Sequence, residues 1–388
     1  MATYVRGEET WEIVLDGASF HVSSGGKRAT RKFVSPAHAQ QQYEKAVAAQ
    51  VALGFALVER AAPRDPGEDV IAPDDLDALA VHADFLIEKG SFLGEVIALQ
   101  LELHALGDDG DVARRTELAT ASRKLLTQHH AELFGALAPH ALSIVPKSSG
   151  EPTGQFAACT ASWRLGAIDE VALTASSKIA LAELVPALSN VQAARHLRSL
   201  IAGSSAPPSA RWAPVAYDRF VLALVEHASA FPRLRSLFLG DLGEGRVAAE
   251  AGALEPLYEA FPRLEVLRIH AHEVQLGSLA RLPKLREIEL VGRCATVDAM
   301  HAIAAARLPE LVAVTADQNP VTGDLAGALD ALSDLPRLER LSLRGWFGER
   351  KVQSLLAFPR LAQLRALDLS YNHLADEIEL LVEHAGRL

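Results

Sequence analysis

From residue 168 onward the apolar positions of this chain recur in one phrase, Leu-x-x-Leu-x-Leu, and its near copies. Clear copies begin at Leu234 (LRSLFL), Leu264 (LEVLRI), Leu285 (LREIEL), Leu338 (LERLSL) and Leu364 (LRALDL). A weaker copy begins at Leu311 (LVAVTA), and two earlier ones begin at Ile168 (IDEVAL) and Leu197 (LRSLIA). The successive offsets are 29, 37, 30, 21, 26, 27 and 26 residues. Alternation within each phrase predicts a short strand with its leucines on one side. Phe231-Pro232-Arg233, Phe261-Pro262-Arg263, Leu282-Pro283-Lys284 and Leu335-Pro336-Arg337 precede several copies. Proline cannot continue a helix, so each phrase ends one element before the next strand. Residues 247–260, 296–307 and 323–332 have helical apolar spacing and predict the returns. One unit cannot bury its leucines alone, whereas stacked units bury them together. Eight strands about 4.8 Å apart would make a face roughly 34 Å long.

The first 140 residues follow other patterns. Residues 1–60 read as a small β-rich unit. Residues 11–15 and 19–23 form a hairpin across the turn signal Asp16-Gly17, and residues 31–34 a third strand after Gly25-Gly26. Ser35 and Pro36 open a helix to about residue 52, and residues 55–58 return as a strand. Residues 61–73 are rich in Pro, Asp and Gly and read as a linker. Residues 74–140 read as three helices, 77–88, 92–105 and 112–134, with Gly90 and Gly107 as stops.

The copies resemble leucine-rich repeats, whose longer pattern Leu-x-x-Leu-x-Leu-x-x-Asn-x-Leu is matched in full by residues 364–374 (LRALDLSYNHL). The resemblance implies an Asn whose amide bonds backbone groups of neighbouring turns. Asn319 fills that place in the weaker copy, while Ser176, Leu242, His272, Arg293 and Trp346 stand there in others. Residues 83–90 (ADFLIEKG) and 94–100 (GEVIALQ) resemble the repeat-companion domain, a helical module before such repeats in certain bacterial proteins, with Phe85 where that family usually has Trp. The resemblance implies a cap on the first repeat. Tyr4, Trp11-Glu12-Ile13, Gly17, Phe33, Ser35, Tyr43, Lys45 and Gly54-Phe55 resemble a WGR domain. The naming Trp-Gly-Arg run is replaced here by Ser23-Ser24-Gly25-Gly26-Lys27-Arg28. In poly(ADP-ribose) polymerases that domain contacts DNA ends. Bacterial proteins joining WGR-like and leucine-rich units, among them a regulator of molybdate metabolism, are the nearest precedent. The fold expected is α/β: a leucine-rich-repeat solenoid over 141–388 with parallel strands and convex helices, preceded by a helical cap and a small α+β WGR-like domain.

Composition narrows the function classes. The chain has 388 residues and a net charge of −11, which argues against nucleic-acid binding over its whole surface. Its two cysteines exclude a disulfide-stapled scaffold and a multi-cysteine zinc module. No run of about 18 apolar residues exists, so no membrane partner is expected. The charged sequence MATYVRGEETWEI predicts no secretion signal, and hence a cytoplasmic protein.

His270, His272 and Glu273, with Cys294 one repeat later, have metal-ligand chemistry, but HExxH and CxxC spacings are absent and they read as turn positions. No nucleophile elbow, phosphate loop or dinucleotide fingerprint is present, so neither a cofactor nor an enzyme is expected. Positions between the leucines project outward. Phe238, Arg268, Glu287, Glu289, Arg340, Arg344 and Asp368, with Trp346 and Tyr371 just after strands, form the expected protein-binding face, aromatic and Arg together being typical of interface anchors. The alternative is a nucleic-acid-associated regulator using Lys27, Arg28, Arg31 and Lys32 of the WGR-like segment.

Overall fold

A computed structural model describes residues 2–6, 9–16, 19–24, 27–32, 42, 45–46, 49, 56–58, 75–107, 110–142, 158–175, 179–204, 217–241, 249–318, 323–347, 351–372 and 374–383. The chain divides into two compact units, Met1–Asp69 and Val70–Leu388.

The first unit holds a five-stranded antiparallel sheet of β1 (Ala2–Arg6), β2 (Glu9–Asp16), β3 (Ser19–Ser24), β4 (Lys27–Lys32) and β5 (Ala56–Val58), in the order β4-β3-β2-β1-β5. Asp16 pairs with Ser19 and Ser24 with Lys27, so two residues close each hairpin, as the Asp16-Gly17 and Gly25-Gly26 signals imply. Two readings change. β1 went unread because residues 2–6 offer only one alternation, and β4 begins at Lys27 rather than 31 because the tight turn starts pairing at once. Of the expected helix, residues 42, 45, 46 and 49 are described and helical; the linker at 61–73 lies outside the described residues.

The second unit opens with α1 (Leu76–Glu88), α2 (Phe92–Leu106) and α3 (Val112–Gln128). Asp75, Ser91 and Asp111 cap their N-termini by accepting bonds from Ala78, Leu93 and Ala113 N–H groups. The stretch read as one helix to residue 134 breaks at His129, where the ring stacks 3.8 Å from Phe92, and resumes as α4 (His130–Phe134). Leu79, Ala83 and Ile97 of this layer pack on Leu165, and Gln100 Oε1 accepts from Gly166 N–H at 2.8 Å.

The remaining strands are β6 (Ala141–Leu142), β7 (Cys159–Arg164), β8 (Ala167–Ala175), β9 (Ser199–Ser204), β10 (Ser236–Asp241), β11 (Glu250–Ala253), β12 (Val266–His270), β13 (Glu273–Gln275), β14 (Glu287–Val291), β15 (Ala313–Asp317), β16 (Gly323–Asp324), β17 (Arg340–Arg344), β18 (Trp346–Phe347) and β19 (Ala366–Asp368). Between or after them lie α5 (Leu181–Ser189), α6 (Asp218–Glu226), α7 (Glu255–Ala260), α8 (Val297–Ala305), α9 (Leu325–Leu332), α10 (Lys351–Ala357) and α11 (Ile378–Glu383). Ten strands form one sheet in the order β19-β17-β15-β14-β12-β10-β9-β8-β7-β6. All its pairs are parallel except the β7–β8 hairpin. The fold is therefore mixed α/β with a large, mostly parallel sheet. Residues 250–253, expected within a helical return, form β11 and pair with β13, so among the described residues of that stretch only α7 is helical.

The repeated apolar positions explain this sheet. Leu234, Leu237 and Leu239, Leu264, Leu267 and Ile269, and the matching residues of β14, β15 and β17 are all at most 2% exposed. Each fully buried Leu or Ile contributes about 1.5–3 kcal/mol relative to exposure. Leu364, Leu367 and Leu369 are only half-buried, because β19 is covered on one side alone.

Turns after the strands need buried donors for carbonyls that no longer meet a ladder partner. Asn372 Nδ2 donates to Leu343 O at 2.6 Å, and Trp346 Nε1 to Ala316 O at 2.9 Å. Cys294 Sγ donates to Val291 O at 3.4 Å and points toward Ile269 O at 4.0 Å. Gln318 Nε2 donates to Ala295 O. Leu343, Ala316 and Ile269 hold the same register position on β17, β15 and β12, with Leu290 of β14 between the last two. Chemically different side chains thus fill one recurring role. Asn319, Ser176 and Leu242 lie outside the described residues.

Candidate functional site

The outward positions of the sheet fall into three rows set by the parallel register. The middle row runs Ala172, Ile201, Phe238, Arg268, Glu289, Thr315, Ser342 and Asp368. Beside it stand Val266, Glu287, Ala313 and Arg340 on one flank, and Gly240, His270, Val291, Asp317 and Arg344 on the other. The apolar end and the charged end of this face are separate.

Phe238, expected exposed, is half-buried, with His270 edge-on at 4.6 Å. Gly240 itself runs close against the His270 backbone: a Cβ there would lie 2.1 Å from His270 O, and its φ is +142°. His270 Nε2 lies 2.8 Å from Glu289 Oε1, and Arg268 Nε lies 3.4 Å from Glu289 Oε2. The His270 hydrogen bond, against the opposing effect of burial, holds the Glu289 carboxyl below the usual carboxylate value. Arg268 also approaches Glu287 at 4.0 Å. Arg340 reaches Glu287 from two strands away, across Ala313, whose methyl leaves room for the guanidinium.

A second group gathers on β15, β17 and β19. Arg344 Nη1 pairs with Asp317 Oδ2 at 3.2 Å, and its Nε lies 3.8 Å from Asp368 Oδ2. Burial raises the Asp317 carboxyl despite that cation. Burial also opposes ionisation at Asp368, but bonds from Ser370 and Ser342 with the Arg344 charge lower it overall. The Arg344 guanidinium sits 5.1 Å from the ring centroid of Tyr371, which is 69% exposed.

Trp346 is a correction. It was expected on the binding face, and it is fully buried in the core. It occupies the place that Asn372 holds one unit later, so its indole turns inward to donate to Ala316 O. His270 and Asp317 were missed as face residues. Continuing the alternation one step beyond Arg268 and Thr315 reaches both.

The metal-ligand candidates go different ways. His270 faces Glu289, His272 Nε2 lies 3.4 Å from Arg293 Nη1, and the Cys294 thiol is buried. Among the described residues no group of three or more His, Cys, Asp or Glu is placed to hold a metal ion. Asp218, Glu250, His272, Glu273, Arg293 and Asp298 help to line a cleft of about 820 Å³ beside the turns. Lys27, Arg28, Arg31 and Lys32 lie on the outermost strand β4, where the Arg31 side chain is exposed and the other three side chains lie outside the described residues.

No family model matches the chain, and neither does any curated protein. Among solved structures it is similar to a Bacteroides fragilis protein determined as a structural-genomics target, at a TM-score of 0.45 and 15% identity, covering 100% of this chain and 87% of that one. It shows a weaker, partial likeness to the leucine-rich repeat domain of APL1B, at a TM-score of 0.19 and 13% identity, covering 49% of this chain and 65% of that one. Among the described residues no helix is long and apolar enough to cross a membrane.

Proposed function

We propose that residues 141–388 form a leucine-rich-repeat solenoid and that its exposed strand face binds a protein partner. In this reading the chain is a cytoplasmic, non-enzymatic scaffold. Residues 74–140 act as a repeat-companion cap, and residues 1–60 as a WGR-like domain. The observation that carries the reading is the continuous outward face of β8 to β19. There Ile201 and Phe238 stand beside a preformed network of Arg268, His270, Glu287, Glu289 and Arg340. Such an arrangement offers an apolar anchor with a polar rim already fixed in place. The caps, the hairpin β7–β8 and the packing of Leu165 on α1 and α2 support the assignment of the helical layer as a cover for the first unit.

Phe238→Ala combined with Arg268→Ala tests the face. The pair is expected to abolish recovery of a specific partner from a native-host pull-down while leaving the thermal midpoint nearly unchanged. Unaltered recovery would overturn the assignment of this face.

A further inference from the structure

A second charge pattern follows the turns that lead into the strands. The Pro-Arg and Pro-Lys phrases put Arg233, Arg263, Lys284 and Arg337 three residues before their strands. A further row stands one residue before each strand, and backbone bonds knit it together. Arg235 N donates to Arg198 O at 2.8 Å, Arg286 N to Glu265 O at 2.8 Å, and Arg365 N to Glu339 O at 2.7 Å. Both rows therefore run along one edge of the sheet, in steps of about 4.8 Å per strand.

Several charges on this edge neutralise each other. Arg198 pairs with Asp169, Arg235 with Glu265, Lys284 with Glu310 and Arg365 with Glu339, at 2.9, 3.3, 2.6 and 3.4 Å. Arg195, Arg263, Arg286 and Arg337 are exposed and form no ion pair with any described residue. They span β9 to β17, five strand steps or about 24 Å. On a chain of net charge −11 this is a concentrated local excess of positive charge. Two neighbours register its field. The Glu310 carboxyl is lowered by its Lys284 bond, with the Arg286 and Arg337 charges adding to the effect. His196 is pushed down to about 4 by burial, with Arg233, His82, Arg195 and Arg198 contributing.

We propose that this edge binds the phosphodiester backbone of nucleic acid through Arg195, Arg263, Arg286 and Arg337, independently of base sequence. All four are arginines, whose planar forks match phosphate oxygens with two parallel hydrogen bonds. They recur at intervals of one and two strand spacings, Arg263 and Arg337 three residues before their strands, Arg286 one and Arg195 four, which suits a polymer of regularly repeated charge. No exposed aromatic ring accompanies them among the described residues, so neither base stacking nor the aromatic anchor of a protein interface is provided here. The site lies at the strand starts rather than on the outward sheet face, and none of Lys27, Arg28, Arg31 and Lys32 belongs to it. It does not depend on either.

The test uses the full chain and fluorescence anisotropy with a labelled mixed-sequence duplex of about 30 base pairs over about 25–200 mM salt. Replacing all four arginines, as R195Q/R263Q/R286Q/R337Q, is expected to flatten the slope of log affinity against log salt by about 3.6, or about 0.9 per phosphate contact. The same flattening is expected in a background of Lys27, Arg28, Arg31 and Lys32 each replaced by Ala, which isolates this edge from the first unit. Replacing the exposed Arg123 and Arg219 by Gln is expected to change the slope by less than one contact. Should the quadruple variant lose its native circular dichroism, Arg263→Gln and Arg286→Gln singly are each expected to flatten the slope by about 0.9. The proposal is overturned by an absence of salt-dependent binding at about 25 mM salt, by an unchanged slope in the arginine variants, or by tighter binding of a poly-glutamate peptide of equal charge.

Discussion

Asn372→Ala isolates the turn chemistry that links one unit to the next. Asn372 is completely buried, accepts from Trp346 N–H through Oδ1 at 2.6 Å and donates to Leu343 O through Nδ2 at 2.6 Å. Alanine fits the space but leaves one buried donor and one buried acceptor unpaired. Each orphaned group costs about 1–3 kcal/mol, so the loss of both partners should be about 2–6 kcal/mol. Because β19 pairs with β17 alone in the large sheet, the damage should fall first on that end of the sheet. Lys351 Nζ also binds Asn372 O at 2.6 Å, so α10 should loosen with it. Hydrogen exchange read by mass spectrometry should show residues 340–383 exchanging about 30-fold faster or more, the equivalent of about 2 kcal/mol. Peptides from β9 and β10 should change little. Glu379→Ala, at an exposed position on α11, serves as the control and should stay within about 0.5 kcal/mol. If exchange over 340–383 in Asn372→Ala stays within about threefold of wild type, the amide is not the link described.

Gly240→Ala should lower the urea midpoint strongly or prevent folding, because the new methyl would meet His270 O and the backbone is left-handed there; a wild-type midpoint would refute the close approach. His196 is held neutral by burial, down to about 4 from 6.5, so the unfolded chain binds a proton that the fold excludes. Its contribution to stability therefore holds above about pH 6.5 and declines as pH falls toward 4. Urea titrations of wild type and His196→Gln should show wild type losing more stability between pH 7 and 4.5, and parallel losses would contradict this. Burial pushes the thiols of Cys159 and Cys294 up to about 12 and about 11. Iodoacetamide at pH 8 should leave both unmodified in the native protein and label both in guanidinium, whereas native labelling at free-thiol rates would show that the core is open there.

The strands were legible because their leucines repeat. Every phrase from Ile168 to Leu364 coincides with a strand of the large sheet, in chain order. The inward direction of Trp346 was also present in the sequence, since it stands where Asn372 stands one unit later. It was misread because a tryptophan just after a strand resembles an interface anchor. What that position needs is an N–H donor aimed at the preceding unit, and indole and amide both serve, while in the copy at Leu285 the thiol of Cys294, one residue further on, donates to a turn carbonyl. His270 and Asp317 were missed because the phrase was ended one residue pair too early. The Arg340–Glu287 contact across Ala313 could not be read from spacing, because it depends on lateral register and on one small side chain. The pairing of β11 with β13 was equally hidden, since Glu250–Ala253 is too short to outweigh the helical spacing of the residues around it.

The sheet order has a consequence for biosynthesis. Each strand of the large sheet from β9 onward pairs with the sheet strand made just before it, and among the described residues no later strand of that sheet is inserted between two earlier ones. A polypeptide leaving the ribosome can therefore add layers in the order of translation, every new leucine phrase finding a completed template some 21–37 residues upstream. A pause or premature stop late in synthesis would leave a shorter but internally finished stack rather than a collapsed intermediate.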